Sequence, residues 1–444
     1  MQPMPSNPHP SPPRTKSGDC GVIFSREREK GTAYVIGAGL AGLACAAKLA
    51  EAGRRVVLYE AARLAGGRCR SYFDSTLGLD IDNGNHLLLS GNWAARDYLK
   101  RIGAGADALV GPDECAFDFL DLRDGARWRL RINDSRLPWW ILVPSRRVPG
   151  SRWLDYLDAA HLLRSKTGAT IGETMTCAGP LYERLWRPVL LAALNMEPAD
   201  ASAELAGSVL RQSLGAGGAA CRPLVAKNGL GPAFIDPALK TLADAGVDVR
   251  FGARLRQIDF EGDRVARLNF GDAGVELGER DLLVLAVPPW AAADLVPGLE
   301  APNDYRAILN AHFKIAPPPG QPALLGMIGA LSEWLFAFED RLSVTISGAD
   351  GLMDEPREDL AGRIWAEVAR ATGLTGGLPQ WQIVKEKRAT FAATPEQERR
   401  RPGAETKWGN LLLAGDWTAT GLPATIEGAI RSGYQAAKLA QREA

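Results

Sequence analysis

Residues 34–71 read YVIGAGLAGLACAAKLAEAGRRVVLYEAARLAGGRCRS, and this stretch decides the fold. An apolar run breaks into glycines and resumes in small residues. That pattern predicts a strand from Thr32, a tight turn, a helix over about 43–52 and a second strand over 56–59, which is a βαβ opening. Gly37, Gly39 and Gly42 stand in G-x-G-x-x-G spacing between strand and helix. In that context the first permits the turn, the second leaves room for a pyrophosphate, and the third lets helix and strand pack closely. The N–H groups where the helix begins then face the anion, which places Ala38, Leu40 and Ala41 at the same site. Glu60 closes the second strand, where a carboxylate accepts bonds from a ribose diol and disfavours a 2′-phosphate.

The rest of the composition narrows the class. At 444 residues the chain exceeds what one growing core fills, so two interleaved domains are expected, and 46% apolar residues supply their cores. The formal net charge is zero and no long basic run occurs, which argues against a nucleic-acid partner. Six cysteines are scattered without C-x-x-C pairs, a usage suited to reduced thiols in the cytoplasm and not to a metal site. Residues 1–30 are proline-rich and polar, read as a disordered leader, and lack the apolar run of a secretory signal. No stretch approaches the roughly 20 apolar residues of a membrane span.

A second glycine pair follows the βαβ unit at once. Gly66 and Gly67 precede Arg68, whose guanidinium has the charge to meet the same pyrophosphate from the other side. With this addition the stretch resembles the FAD-binding oxidoreductases of the amine oxidase and carotenoid desaturase superfamily. That superfamily often carries a basic residue two places after the acid; here Ala62 stands there and Arg63 follows. DIDNGNHLLL (80–89) occupies the place of the superfamily's turn near the flavin, and AGDWTATGLPATIEGAIRSG (414–433) resembles its C-terminal flavin motif. The resemblance implies FAD as cofactor. It puts Asn85 and His86 near the ring, Gly415 and Asp416 at the ribityl or pyrophosphate region, Thr425 and Ile426 at the isoalloxazine, and Leu255 at the adenine. A glycine-flanked acid ahead of a helix start also suits the flavin N1 and O2 edge on electrostatic grounds.

Four further stretches, LWRPVLLAALNMEPADASAEL (185–205), ILNAHF (308–313), EKRATFAATPEQERRRPG (386–403) and the C-terminal motif, resemble the hydroxysqualene dehydroxylases. This resemblance implies an α/β fold: a Rossmann-like FAD-binding domain of the glutathione-reductase type over 31–110, 225–300 and 405–444. An α+β substrate domain over 111–224 and 301–404 would be interleaved with it. It implies reductive dehydroxylation of hydroxysqualene, or a related C30 isoprenoid, to squalene for hopanoid synthesis, alongside the upstream squalene-pathway enzymes. The electron donor is not visible, because no second dinucleotide fingerprint occurs. The alternatives are a phytoene-desaturase-like or amine-oxidase-like enzyme, with Trp417 as one wall of an amine cage, and a non-catalytic isoprenoid-binding protein of the same fold.

The reaction needs a proton donor. His86 is the first candidate, with Asp82, Asp416 and Glu427 behind it, and no catalytic residue is assigned. SRLPWWILVPSRRVPGSRW (135–153) sets Trp139, Trp140 and Trp153 among arginines, a composition suited to peripheral contact with the inner face of the cytoplasmic membrane.

Overall fold

The computed structural model describes residues 30–271 and 273–442; the leader expected over 1–30 lies, save Lys30, outside them. The βαβ opening is present as the strand Thr32–Ile36, the helix Leu40–Glu51 and the strand Arg55–Tyr59. The helix begins three residues before the expected position because Gly39, in an extended conformation, serves as its N-cap.

These strands belong to a five-stranded parallel sheet in the order Asp248–Arg250, Arg55–Tyr59, Thr32–Ile36, Leu282–Leu285, Leu411–Leu413. Two of its strands, Leu282–Leu285 and Leu411–Leu413, are apolar and buried throughout, as a parallel sheet covered on both faces requires. The C-terminal helix, Ile426–Ala440, lies against the first helix so closely that a Cβ on Gly433 would stand 2.2 Å from the Ala41 carbonyl oxygen. The last helix of the chain is thus fixed to the first.

A second sheet has seven strands, in the order Trp381–Phe391, Tyr305–Phe313, Leu342–Ile346, Trp334–Ala337, Leu324–Ile328, Cys115–Asp121, Arg127–Ile132. All its pairs are antiparallel except Leu324–Ile328 with Cys115–Asp121. The helix Arg357–Thr372 buries Leu360, Ile364, Trp365 and Val368 in one core with Leu309, Ala311 and Phe313 of this sheet. The Trp-rich middle of the chain is 3-10 helix at Trp139–Leu142 and Trp153–Arg164 and α-helix at Arg187–Leu194 and Ala203–Gln212. Pro138 and Pro144 prevent a longer helix at its start. A ribbon of Ser71–Asp74 and Leu79–Asp82 carries the chain from the nucleotide sheet toward the second sheet.

Candidate functional site

The glycine turn is built by close backbone approach. Gly37, at φ 107°, donates its N–H to the Tyr59 carbonyl at 2.7 Å, and a Cβ there would meet the Ala286 carbonyl oxygen at 2.3 Å. A Cβ on Gly42 would stand 1.8 Å from the Gly37 oxygen. Gly39 differs: nothing lies within 4 Å of where its Cβ would project. The second glycine pair docks onto this turn. Gly66 donates its N–H to the Ala38 carbonyl at 2.8 Å, and Gly67, at φ 56°, sits where a Cβ would be 3.6 Å from Gly39 Cα. Two glycine segments therefore form one cradle of main chain, open at Gly39.

Glu60 braces the turn from the end of the second strand. Its Oε2 accepts the Ala38 N–H and its Oε1 the Ala62 N–H, each at 2.8 Å. Gly252 and Ala253 donate to the Ala62 and Glu60 carbonyls at 2.9 Å, bringing a distant segment to the acid and placing buried Leu255 two residues further on.

Arg68 joins the two ends of the polypeptide. Its Nη2 donates to Asp416 Oδ1 at 2.7 Å and its Nη1 to the Ala389 carbonyl at 2.6 Å. Loss of surrounding water opposes the charge on Arg68, whose side chain is still 41% exposed, and the Asp416 carboxylate outweighs that cost, holding the guanidinium pKa above its usual range. Asp416 is buried and follows Gly415, whose φ of 152° and a Cβ position 2.3 Å from Trp417 Nε1 admit only glycine. The Gly415 N–H donates to Ser432 Oγ at 2.8 Å, which ties the turn to the C-terminal helix. Thr425 caps that helix by accepting the Gly428 N–H at 3.0 Å, with Ile426 buried beside it.

Arg401 is a residue the sequence reading missed. Its buried guanidinium donates to the Asp416 carbonyl at 3.1 Å, the Thr418 carbonyl at 3.0 Å, Thr420 Oγ1 at 2.8 Å and Glu398 Oε2 at 2.6 Å, and lies 4.9 Å from the Phe391 ring centre. It positions the loop that carries Asp416. In sequence it is one of three consecutive arginines, with no local mark separating it from surface charge.

The DNGNH turn is held by the second sheet. Asn85 donates its N–H to Asn310 Oδ1 at 3.3 Å and its Nδ2 to Thr345 Oγ1 at 3.1 Å, while Asn83 Nδ2 donates to Glu386 Oε2 at 3.2 Å. Asn85 Oδ1 is a buried acceptor without a partner among the described residues. His86 donates Nδ1–H to the Gly84 carbonyl at 2.9 Å. Burial lowers its pKa, so the imidazole is neutral near pH 7 and its Nε2 is an acceptor.

The other acids weighed as proton donors are committed elsewhere. Asp82 Oδ1 accepts Ser71 Oγ–H at 2.5 Å and the Leu230 N–H at 2.8 Å. Glu427 accepts the Ala94 and Ala95 N–H groups at 3.1 and 2.9 Å and the Arg431 Nε–H at 2.7 Å, so it caps the helix Trp93–Arg101. Asp416 is held by Arg68. Trp417 is 1% exposed and donates Nε1–H to the Val287 carbonyl at 2.9 Å; it belongs to the core and forms no wall of an amine cage.

Residues 40–440 match the model of the flavin containing amine oxidoreductases. The chain is 57% identical over 409 residues to a hydroxysqualene dehydroxylase of Rhodopseudomonas palustris, covering 92% of this chain and 98% of that one. The chain belongs to this family. A second hydroxysqualene dehydroxylase, from Sinorhizobium fredii, is 51% identical with the same coverage. The fold is shared more widely: cyclohexylamine oxidase from Brevibacterium oxydans superposes with a TM-score of 0.64 at 16% identity, over 93% of this chain and 99% of that one. Like the rest of its family, the chain is an FAD-dependent oxidoreductase. The residues present fit that cofactor: open space at Gly39 for a pyrophosphate, a carboxylate at the adenosine end, and an unpartnered buried acceptor at Asn85 for a ring N–H.

Proposed function

We propose that the protein reductively removes the hydroxyl of hydroxysqualene, giving squalene for hopanoid synthesis. The observation that carries this reading is the 57% identity to a hydroxysqualene dehydroxylase across 92% of the chain. Chemically, the alcohol is allylic, so its protonated hydroxyl leaves as water and the positive charge spreads over the allyl system. Bound in reduced form, FAD would supply the hydride that this cation needs.

The chain's own residues bind and orient. The N–H groups where the first helix begins, just past Gly39, would meet the pyrophosphate with Gly67 beside them, Glu60 would accept from the ribose, and Leu255 would pack beside the adenine. Arg68 and Asp416 hold the ribityl and pyrophosphate region, with Arg401 fixing the loop beneath Asp416. Asn85, His86, Thr425 and Ile426 would line the ring, with the unprotonated Nε2 of His86 available as an acceptor.

The same reading places the protein on the inner face of the cytoplasmic membrane beside the upstream squalene-pathway enzymes, because a C30 alcohol dissolves in lipid. No described helix is long and apolar enough to cross that membrane. The test is anaerobic mixing of dithionite-reduced holoprotein, freed of excess reductant, with hydroxysqualene. Squalene and oxidised flavin should appear in equal amounts. Absence of both, with desaturation of phytoene by the oxidised holoprotein in a separate incubation, overturns the assignment in favour of a desaturase, and absence of both alone overturns it outright.

A further inference from the structure

Among the described residues thirteen large apolar side chains are exposed, and seven of them lie between 137 and 163. Leu137 is 74% exposed, and Trp139, Leu142, Trp153, Leu154 and Leu157 are each between 42% and 58% exposed. So dense a concentration in so short a stretch is not the scatter of single apolar residues found on any surface.

The stretch is not loose. Trp140, Ile141, Tyr156 and Leu162 alternate with the exposed residues and are buried. The Trp140 ring meets the Tyr156 ring edge-on at 5.1 Å, so the two 3-10 turns pack on one another. Asn133 accepts the Trp140 N–H at 3.0 Å and donates to the Leu137 carbonyl at 2.9 Å, and Val148 donates its N–H to the Tyr156 hydroxyl at 3.0 Å. The sequence expectation grouped Trp140 with the exposed tryptophans; it is a core residue that anchors them.

Charge accompanies the apolar surface. Over 135–166 there are six basic residues, Arg136, Arg146, Arg147, Arg152, Arg164 and Lys166, against Asp155 and Asp158, a net charge of +4 in a chain whose total is zero. Asp134, just outside, is paired with Arg222, and Arg152 with Asp155. The Arg146 guanidinium lies 4.8 Å from the Trp139 ring centre, an amphipathic pairing of indole and cation at the surface.

We propose that these two turns dock the protein on an anionic bilayer, with Leu137, Trp139, Leu142, Trp153 and Leu154 entering the interface and the guanidinium groups meeting lipid phosphates. The inference rests on the proposed lipid-soluble substrate, and it names the surface that brings the protein to the phase holding it. Charge complementarity selects a membrane over a second copy of this chain, which would bring like charges together.

The test is flotation of intact holoprotein with vesicles of equal parts phosphatidylglycerol and phosphatidylcholine. Binding is expected, falling at least about tenfold on phosphatidylcholine alone. The triple variant Trp139→Ser, Leu142→Ser, Leu154→Ser should bind about 100-fold more weakly, with flavin absorbance and melting temperature unchanged because all three side chains are exposed. Phe73→Ser, at another exposed site, should bind as the wild type. Failure of the intact protein to float, flotation unchanged in the triple variant, or a concentration-dependent dimer that this variant abolishes would each overturn the proposal. Turnover of hydroxysqualene in detergent micelles separates this result from the proposed reaction. Micellar turnover without flotation overturns the docking surface alone, and flotation without micellar turnover overturns the reaction alone.

Discussion

The candidate cofactor site is made of two kinds of material. At the end proposed for the adenosine and pyrophosphate the contacts are main chain: Gly37, Gly42, Gly66 and Gly67 bring backbone within bonding distance by lacking side chains, and one carboxylate, Glu60, completes the set. At the end proposed for the ring they are side chains, Arg68, Asn85, Asp416 and Arg401, reaching between segments as far as 348 residues apart. The first end is a local structure that forms with its βαβ unit. The second exists only when both sheets and the C-terminal helix are in place. Loss of a ring-end side chain should therefore leave a folded protein with a loosened cofactor, whereas filling the main-chain end should act either on folding or on the cofactor according to which glycine is changed.

That distinction is sharpest at Gly42 and Gly39. Gly42→Ala drives a methyl into the Gly37 carbonyl oxygen and should cost more than about 3 kcal/mol, seen as loss of soluble folded protein. Gly39→Ala meets no protein atom, so the apoprotein should melt at the wild-type temperature while FAD affinity drops by more than about tenfold, through loss of close pyrophosphate approach. Normal FAD titration of Gly39→Ala would break the comparison, because the pyrophosphate would then lie elsewhere.

The ring end is tested at Arg401. Lysine keeps the charge and loses the planar fork that reaches Asp416, Thr418, Thr420 and Glu398 together. Arg401→Lys should cost about 2 kcal/mol in thermal or urea unfolding, since buried acceptors lose their donor. It should also weaken FAD binding, because the Asp416 loop is no longer fixed. An unchanged flavin affinity with a lowered melting temperature would make Arg401 a purely structural residue.

The same contrast explains what could be read from residue order. The βαβ opening, the acid at its end and the C-terminal strand and helix follow from local periodicity and glycine spacing, and the parallel sheet contains them. The helix starts at Leu40 and not near 43 because Gly39, in an extended conformation, caps it, a backbone state that residue order does not show. The seven-stranded sheet was not legible as a sheet, since Tyr305–Phe313 pairs with Trp381–Phe391 across a helix and three other strands. Adjacent twins defeat sequence reading altogether: Trp139 is exposed and Trp140 buried, and Arg401 is buried beside Arg400, which is not. Asp82 and Glu427 looked like available acids because the backbone N–H groups that consume them come from elsewhere in the chain.

The smallest expected effect is a pH dependence at His86. Burial is the main cause of its lowered pKa, with the Arg68 charge acting in the same direction and Asp82 and the Gly84 carbonyl against it. A base whose folded pKa lies below its unfolded value of 6.5 contributes stability that is fully present above that pH. As pH falls below 6.5 the unfolded chain takes the proton first, and stability declines until the folded pKa is reached. His312, held to about 3 by burial and Arg341, adds a slope of the same sign over a wider range. In the apoprotein His86→Gln should therefore flatten, without abolishing, the fall in melting temperature between about pH 7 and pH 5. The glutamine amide retains a donor for the Gly84 carbonyl, so the difference from wild type should grow with acidity and not appear as a constant offset. A slope identical to wild type would mean that His86 protonates as readily in the folded protein as in the unfolded chain, which would overturn its burial as the cause of a lowered pKa.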